Sequence, residues 1–265
     1  MPTAENGQVR THYKLSGRAG GELLVLSNSL GSSTGMWDKV LPTFEAHYHV
    51  LRYDTRGHGA SSVPASSCTL DQLGQDVLSL LDQLEASRVH FCGLSLGGMV
   101  GQWLAIHAPE RMSHLVFANT AARIGTPQLW EDRIAFVQQS GMEMLAKATL
   151  ERWFTADYRG RHGDEMTFIR QMIASTDPGG YASCCSVLRE ADLTGAIASI
   201  QAPCLVITGK HDPATPPSDG KALAAGLRHA EYAELDASHM SAWEQADEFA
   251  AAALSFLRAG GRNNG

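Results

Sequence analysis

The chain has 265 residues and a formal net charge of −7, with 44% hydrophobic and 18% charged residues. This length can bury one large α/β domain, or a domain that carries an insertion. The acidic balance argues against binding to nucleic acid or to an acidic membrane, since no basic cluster exceeds residues 159–162. No apolar run approaches the length of a membrane span.

Five cysteines indicate a reduced protein without a disulfide framework, because their number is odd and two lie in strand-like apolar runs. The neighbours Cys184 and Cys185 could scarcely bridge to each other without strain. No two cysteines have the C-x-x-C spacing of a metal site, and we expect no bound metal. Residues 1–6 are polar and lack the pattern of a signal peptide, so we predict a cytoplasmic protein.

Strand-like and helix-like segments alternate along the first part of the chain. Short apolar runs predict strands, and apolar stripes at helical spacing predict helices. Thr69 and Gln72 form a capping-box pattern at the start of one helix. The predicted elements are strands over 22–27, 49–53, 88–92 and 114–118 and helices over 36–46, 70–84 and 97–107.

Residues 123–195 break this alternation. They contain four helix-like stretches rich in methionine and aromatic residues, over 129–139, 142–154, 165–173 and 181–190, and no convincing strand. We predict that they form an all-helical cap inserted over the C-terminal edge of the sheet. The remaining residues, 1–122 and 196–265, then form the core.

The alternation resumes after the cap. Strands are predicted over 203–208 and 231–235, and a helix over 242–257 closes the core. We expect the tail, residues 260–265, to be frayed. Alternation of this kind predicts an α/β fold with a mostly parallel, doubly wound sheet that is covered on both faces.

The segment Gly93-Leu94-Ser95-Leu96-Gly97 places a serine between a predicted strand and a predicted helix. The pattern G-x-S-x-G in that context is a nucleophile elbow, which lifts the hydroxyl above the end of a parallel sheet. Side chains in place of Gly93 or Gly97 would collide with the neighbouring strand or helix. By itself, the pattern is also compatible with a glycine-rich turn that exposes a serine.

A nucleophilic serine needs a base, and eleven histidines are available. In a doubly wound sheet the functional groups lie in loops beyond the C-terminal ends of the strands. His58 and His211 both follow predicted strands and remain candidates. His239 fits best, because it lies between the last predicted strand and the last predicted helix.

The base in turn needs an acid that fixes its tautomer and stabilises its protonated form. Asp212 directly follows the strand predicted over 203–208, whereas the loop after 114–118 offers Asn119, which carries no charge. An aspartate or a histidine in a loop is ordinary when taken alone. The order Ser95, Asp212, His239 is nevertheless that of the α/β-hydrolase triad, and we predict these three as the catalytic residues.

An oxyanion hole requires two backbone N–H groups that point at the developing negative oxygen. The residue after the nucleophile supplies one donor in α/β-hydrolases, which predicts the N–H of Leu96. The loop after the first predicted strand, residues 27–32, supplies the other. We predict the N–H of Leu30 for that role.

Several segments of the sequence resemble those of 3-oxoadipate enol-lactonases. The runs SNSLG at 27–31 and NTAARIG at 119–125 are particular to that family, whereas the elbow and the turn at 54–59 are shared across α/β-hydrolases. The resemblance covers nearly the whole chain and implies the α/β-hydrolase fold. It also implies hydrolysis of 3-oxoadipate enol-lactone to 3-oxoadipate, a step in bacterial catabolism of protocatechuate and catechol. The reaction requires no metal or organic cofactor.

The lactone that the resemblance implies carries a carboxylate, so an acidic protein needs a local cation to bind it. We predict Arg133, on the helix over 129–139, as that cation, with Trp130 and Trp153 as apolar walls. A solvated arginine and two packed tryptophans are the plain alternatives.

The triad by itself also fits other enzymes of this fold, including a general carboxylesterase, a C–C bond hydrolase of ring-cleavage products and a perhydrolase. A haloalkane dehalogenase or an epoxide hydrolase needs aspartate in place of Ser95. A non-catalytic ligand receptor is a further alternative. Over these alternatives the resemblance favours the enol-lactonase, so the expected partner is a small anionic lactone. The sequence leaves the oligomeric state open.

Overall fold

The computed structural model describes residues 2–7, 9–63 and 67–259; the tail over 260–265 that we expect to be frayed lies outside them. Within these residues one eight-stranded sheet has the order β1-β2-β4-β3-β5-β6-β7-β8. Strand β2 pairs antiparallel with β1 and β4, and every other pair is parallel. The strands are β1 (Thr3–Asn6), β2 (Val9–Gly17), β3 (Leu23–Ser27), β4 (His49–Tyr53), β5 (Val89–Leu94), β6 (Met112–Ala118), β7 (Cys204–Gly209) and β8 (Ala230–Leu235).

Helices fill the connections between the parallel strands, and two more follow the last strand, β8. They are α1 (Leu41–Glu45), α2 (Leu70–Gln83), α3 (Leu96–His107), α4 (Pro127–Trp153), α5 (Ala156–Arg161), α6 (Gly163–Ala174), α7 (Pro178–Glu190), α8 (Pro217–Gly226), α9 (Ser241–Glu244) and α10 (Ala246–Ala259). Helix α3 packs on β3, β5 and β6, and α10 packs on β6, β7 and β8. Strands β5 and β7 are buried at every residue, as expected for central strands of a sheet covered on both faces. The predicted fold class is confirmed.

Helices α4 to α7 lie between β6 and β7, within the span 123–195 that we propose as the cap. Helix α4 contacts both α6 and α7, and it is interrupted at Gly141, whose φ of 75° lies in the left-handed region that glycine adopts readily. The break divides α4 into two halves that match the two helices predicted over 129–139 and 142–154. Among the described residues, no helix combines the length and the apolar character that crossing a membrane requires.

Two predicted helices are each divided in the structure. The helix predicted over 36–46 is instead a short 3-10 helix, Thr34–Trp37, followed by α1. Proline lacks an N–H and is tolerated only in the first turn of a helix, so α1 begins just before Pro42. The helix predicted over 242–257 is divided between α9 and α10, because Gln245 has φ −127° and ψ 58°.

Four elements of the structure are absent from the sequence prediction: β1, β2, α5 and α8. Strands β1 and β2 form the antiparallel edge of the sheet, and β2 alternates poorly between buried and exposed residues. Helix α8 begins at Pro217, directly after Pro216, and contains Gly220 and Gly226; prolines and glycines are signals typical of a loop.

Candidate active site

Ser95 lies in a strained turn between β5 and α3. Its φ of 57° and ψ of −113° fall outside the regions that residues with side chains usually adopt, which costs on the order of 1–3 kcal/mol. Two hydrogen bonds hold the turn: the Ser95 N–H donates to Ala118 O at 2.9 Å, and Thr120 Oγ1 donates to Ser95 O at 2.8 Å. The serine hydroxyl is thereby held beyond the C-terminal end of β5.

The glycines of the elbow are required by close backbone contacts, as the sequence predicts. A Cβ on Gly93 would lie 2.2 Å from Gly97 O, and a Cβ on Gly97 would lie 2.2 Å from Ser27 O. Both distances are far below van der Waals contact, and both involve backbone atoms that cannot move aside. No larger residue fits at either position without displacing β3 or α3.

Asp212 and His239 meet at the C-terminal ends of β7 and β8. The Nδ1 of His239 lies 2.7 Å from Oδ2 of Asp212, and both side chains are buried. Asp212 also accepts from Ala214 N at 2.8 Å and from Thr215 Oγ1 at 2.7 Å. Burial works to raise the pKa of Asp212, but the charge of His239 and hydrogen bonds from His239, Thr215 and Asn119 outweigh it and lower the pKa. Asp212 is therefore ionised at neutral pH.

Asn119 connects three of the loops around the site, a role that the sequence does not reveal. It follows β6, has φ 44°, and is fully buried. Its Nδ2 donates to Asp212 Oδ2 at 3.0 Å and to Ser238 O at 3.2 Å, and its Oδ1 accepts from Ser241 Oγ. The sequence only excludes Asn119 as an acid, whereas in the structure its amide supports the acid that is present, Asp212.

Ser95 and His239 line one cavity between the sheet and the helices above it, and Leu30 lines the same cavity. Within the described residues, the Leu30 N–H has no acceptor, whereas its neighbours do: Ser29 N donates to Met36 Sδ at 3.2 Å and Gly31 N to His58 Nε2 at 2.9 Å. An unpaired donor at the edge of the cavity suits the role predicted for Leu30.

His58 and His211, the two alternative bases, have other partners. His58 Nε2 accepts from the Gly31 N–H at 2.9 Å, and Nδ1 donates to Arg56 O at 3.2 Å. Burial lowers the pKa of His58, which keeps the ring neutral and able to accept. His211 is half-exposed and bonds to Asp236 at 2.8 Å. His58 therefore supports the loop that contains Leu30, and His211 lies at the surface.

The three residues predicted to bind substrate all line this cavity. Trp153 lies with its ring centroid 6.3 Å from that of His239, and Trp130 donates from Nε1 to Ile124 O at 2.7 Å. The guanidinium of Arg133 lies 5.8 Å from the centre of the Trp130 ring. The cavity wall thus has an aromatic part, formed by Trp153 beside His239 and by Trp130, and a cationic part at Arg133.

A second arginine and a tyrosine, neither of them predicted from the sequence, also line the cavity beside Arg133. Arg152 and Tyr181 line the cavity, and Arg133 Nη1 donates to Tyr181 OH at 3.4 Å. Burial, and then the charge of Arg133, lower the pKa of Arg152 to about 10. Among the described residues, neither arginine lies within ion-pair distance of a carboxylate. Two unpaired guanidinium groups beside a cavity are suited to an anion.

Glu244 joins the loop of His239 to the helical insertion. It accepts from Ser238 N at 2.9 Å and from Thr155 N at 3.2 Å. Ser238 immediately precedes His239, and Thr155 caps α5. A movement of Thr155 relative to Glu244 would therefore also disturb the backbone next to His239.

Comparisons with known proteins agree with this architecture. The family model described as alpha/beta hydrolase fold matches residues 22–246. The 3-oxoadipate enol-lactonase 2 of Acinetobacter baylyi is 42% identical over 91% of this chain and 90% of its own length. The crystal structure of the enol-lactonase from Burkholderia xenovorans LB400 has a TM-score of 0.95 and 43% identity over 97% of this chain and 100% of that one. A hydrolase from Pseudomonas aeruginosa PA01 has a TM-score of 0.93 and 45% identity, covering 96% of each chain.

Proposed function

Because the chain belongs to the alpha/beta-hydrolase family and, within it, to the 3-oxoadipate enol-lactonases, we propose that it hydrolyses 3-oxoadipate enol-lactone to 3-oxoadipate. The observation that carries the proposal is the cavity in which Ser95 and His239 lie beside the guanidinium groups of Arg133 and Arg152. A lactone that bears a carboxylate can place its ring carbonyl at Ser95 and its carboxylate at the two arginines.

The first half of the proposed reaction acylates Ser95. Its Oγ attacks the lactone carbonyl carbon while Nε2 of His239 takes the hydroxyl proton. Asp212, ionised and 2.7 Å from Nδ1, stabilises the imidazolium that forms. The carbonyl oxygen becomes negative in the tetrahedral intermediate, where the N–H groups of Leu30 and Leu96 donate to it.

Collapse of this intermediate breaks the ring C–O bond and leaves the enol attached to the acyl chain. An enolate is a better leaving group than an alkoxide; the imidazolium of His239 returns its proton to the departing oxygen, and the resulting enol tautomerises to the ketone. Water, deprotonated by His239, then attacks the acyl-enzyme and releases Ser95. The product carries two carboxylates, one more than the substrate.

In this proposal Arg133 and Arg152 bind the carboxylate that the substrate already carries. Charge-assisted hydrogen bonds from guanidinium groups are directional, so they would orient the ring carbonyl toward Ser95. Trp130 and Trp153 form the apolar sides of the cavity around the ring. No step needs a metal or an organic cofactor.

We place the reaction in the catabolism of protocatechuate and catechol, where this lactone is an intermediate, and the enzyme in the cytoplasm. All five cysteines are free thiols, which supports a reducing compartment.

The proposal is tested by comparing kcat/KM for the enol-lactone with kcat/KM for p-nitrophenyl acetate, a neutral ester. An enol-lactonase should prefer the lactone by at least about a hundredfold, because binding of the carboxylate lowers the barrier only for the anion. Equal values would indicate a general carboxylesterase. Turnover of neither compound would favour a C–C bond hydrolase or a receptor.

A further inference from the structure

A second cavity lies outside the first, along α4. It is lined by side chains from both halves of that helix, on either side of the break at Gly141. The outer cavity measures about 540 Å³ and the inner one about 120 Å³. Three residues line both: Leu129, Arg133 and Arg152. The wide outer space therefore adjoins the narrow inner one across the two arginines.

The boundary between the two cavities is cationic. Within the described part of the chain, Arg133 contacts the hydroxyl of Tyr181 and Arg152 donates to Thr149 Oγ1 at 3.0 Å, but neither pairs with a carboxylate. The acid in the outer cavity is Asp132, whose Oδ1 accepts from Gln128 Nε2 at 2.9 Å. Both guanidinium groups thus remain available to an anion that arrives from outside.

The outer cavity also has an apolar side. Leu129 and Phe136 line it and are 42% and 39% exposed, so their apolar surface faces the outer space. An apolar surface next to unpaired guanidinium groups suits a small organic carboxylate, which has an apolar part and an anionic end. Water or an inorganic anion would make no use of Leu129 and Phe136.

We propose that the outer cavity is the entrance to the active site for small organic carboxylates, and that Arg133 and Arg152 pass the anion from the outer cavity to the inner one. The break at Gly141 forms the entrance, because it allows side chains from both halves of α4 to line the same space. The natural anion follows from the proposed function, but the route itself does not depend on it.

The route is tested by filling the entrance. Ala148 lines the outer cavity, whereas Met144, one turn earlier on the same half of α4, is 53% exposed and does not line it. We expect Ala148→Trp to lower kcat/KM for p-nitrophenyl hydrogen succinate, an anionic ester, by about tenfold, because the indole narrows the path. Met144→Trp should leave kcat/KM for this ester within about twofold of the wild-type value. Equal values for wild type and Ala148→Trp, or equal losses in both variants, would overturn the route.

A second test uses charge and remains valid if Ala148→Trp fails to fold. Asp132 lines the outer cavity, and its neighbour Glu131 lines neither cavity. Asp132→Lys should raise the ratio of kcat/KM for p-nitrophenyl hydrogen succinate to that for p-nitrophenyl acetate by about threefold at low ionic strength. The increase should disappear in about 0.5 M salt.

Glu131→Lys is the matched control, since it makes the same charge change on the same helix. Its ratio should remain that of the wild type, and an equal rise in both variants would contradict the entrance. The enol-lactone is measured alongside both esters. If the wild type cleaves the anionic ester but not the lactone, the proposed substrate is wrong. The tests of the entrance remain valid in that case, because they use the two esters.

Discussion

The side-chain amide of Asn119 donates at 3.0 Å to Oδ2 of Asp212, the same oxygen that lies 2.7 Å from Nδ1 of His239. This carboxylate oxygen therefore has two uncharged donors, Asn119 after β6 and Thr215 Oγ1, besides the proposed base. The amide favours the ionised carboxylate and fixes its orientation, which leaves the negative charge aligned with the imidazole.

Replacing this amide by a second acid should move the pH dependence of the reaction. In Asn119→Asp two carboxyl groups lie about 3 Å apart, and repulsion between their negative charges raises the pKa of Asp212, which must be ionised to support the base. We expect the acidic limb of the kcat/KM profile for the lactone to move to higher pH by about one unit. Asn119→Ala removes the donor without adding charge, so its limb should move less. Profiles that coincide for the two variants would contradict this electrostatic role.

Substitutions of His58 and His211, the two alternative bases, should have very different effects on kcat/KM. His58 holds the Gly31 N–H next to Leu30, so His58→Ala should lower kcat/KM for the lactone by about tenfold or more, through a misplaced oxyanion donor. His211→Ala removes only a half-exposed bond to Asp236 and should have wild-type kinetics. A similar loss in both variants, measured by steady-state kinetics, would remove the special role of His58.

Removing one arginine of the cavity should cost selectivity for the anionic substrate. We expect Arg152→Ala to lower the ratio of kcat/KM for the lactone to that for p-nitrophenyl acetate by about tenfold, mainly through KM, since one charge-assisted contact is lost. Arg133→Ala should behave in the same way. Arg170, which pairs with Glu143 at the surface, provides the control Arg170→Ala with an unchanged ratio. An unchanged ratio in Arg152→Ala would show that Arg152 does not bind the carboxylate.

Glu165 joins the helical insertion to the rest of the chain, and its ionisation should contribute to stability. Its Oε2 lies 2.7 Å from both Lys39 Nζ and Trp243 Nε1 and accepts from Tyr158 OH at 2.6 Å. Although burial works to raise the pKa, hydrogen bonds from Lys39, Tyr158 and Trp243 lower it to about 2. Because the pKa is lower in the folded than in the unfolded state, this stabilisation is complete above about pH 4.5 and is lost as the pH falls toward 2.

Glu165→Gln should therefore lower the free energy of unfolding at pH 7 by about 2 kcal/mol and make it less dependent on pH between about 4.5 and 2. Glu143→Gln breaks an exposed ion pair with Arg170 and should cost less than about 0.5 kcal/mol. Urea titrations across this pH range measure both variants. Equal destabilisation by the two substitutions would mean that Glu165 is only a surface charge.

Local signals in the sequence are sufficient to predict the start of α2 and the nucleophile elbow. Thr69 and Gln72 form the capping box that their spacing predicts, with hydrogen bonds of 3.1 and 3.2 Å. The glycines of the elbow are required by contacts with the backbone of Gly97 and Ser27. These features depend on residues close in sequence or on repeating apolar patterns, which is why they could be predicted. The antiparallel edge strand β2 lacks such a pattern and was missed.

The residues that complete the site could not be predicted, because their roles arise from packing between distant elements. Arg152 looks like any arginine near the end of a long helix. Its proximity to Arg133 depends on the turn of α4 at Gly141, which no periodicity reveals. Asn119 looks like a loop residue until β6, β7 and the His239 loop are brought together.

Ser95 opens the ring of 3-oxoadipate enol-lactone in the proposed reaction, and every other role in the site depends on that step. The most direct measurement is the spectrophotometric loss of the lactone with wild-type protein and with Ser95→Ala at the same concentration. We predict turnover by the wild type and a loss on the order of 10⁴- to 10⁶-fold in kcat for a variant that still folds. Normal turnover by Ser95→Ala, or no turnover by the wild type, would contradict the claim.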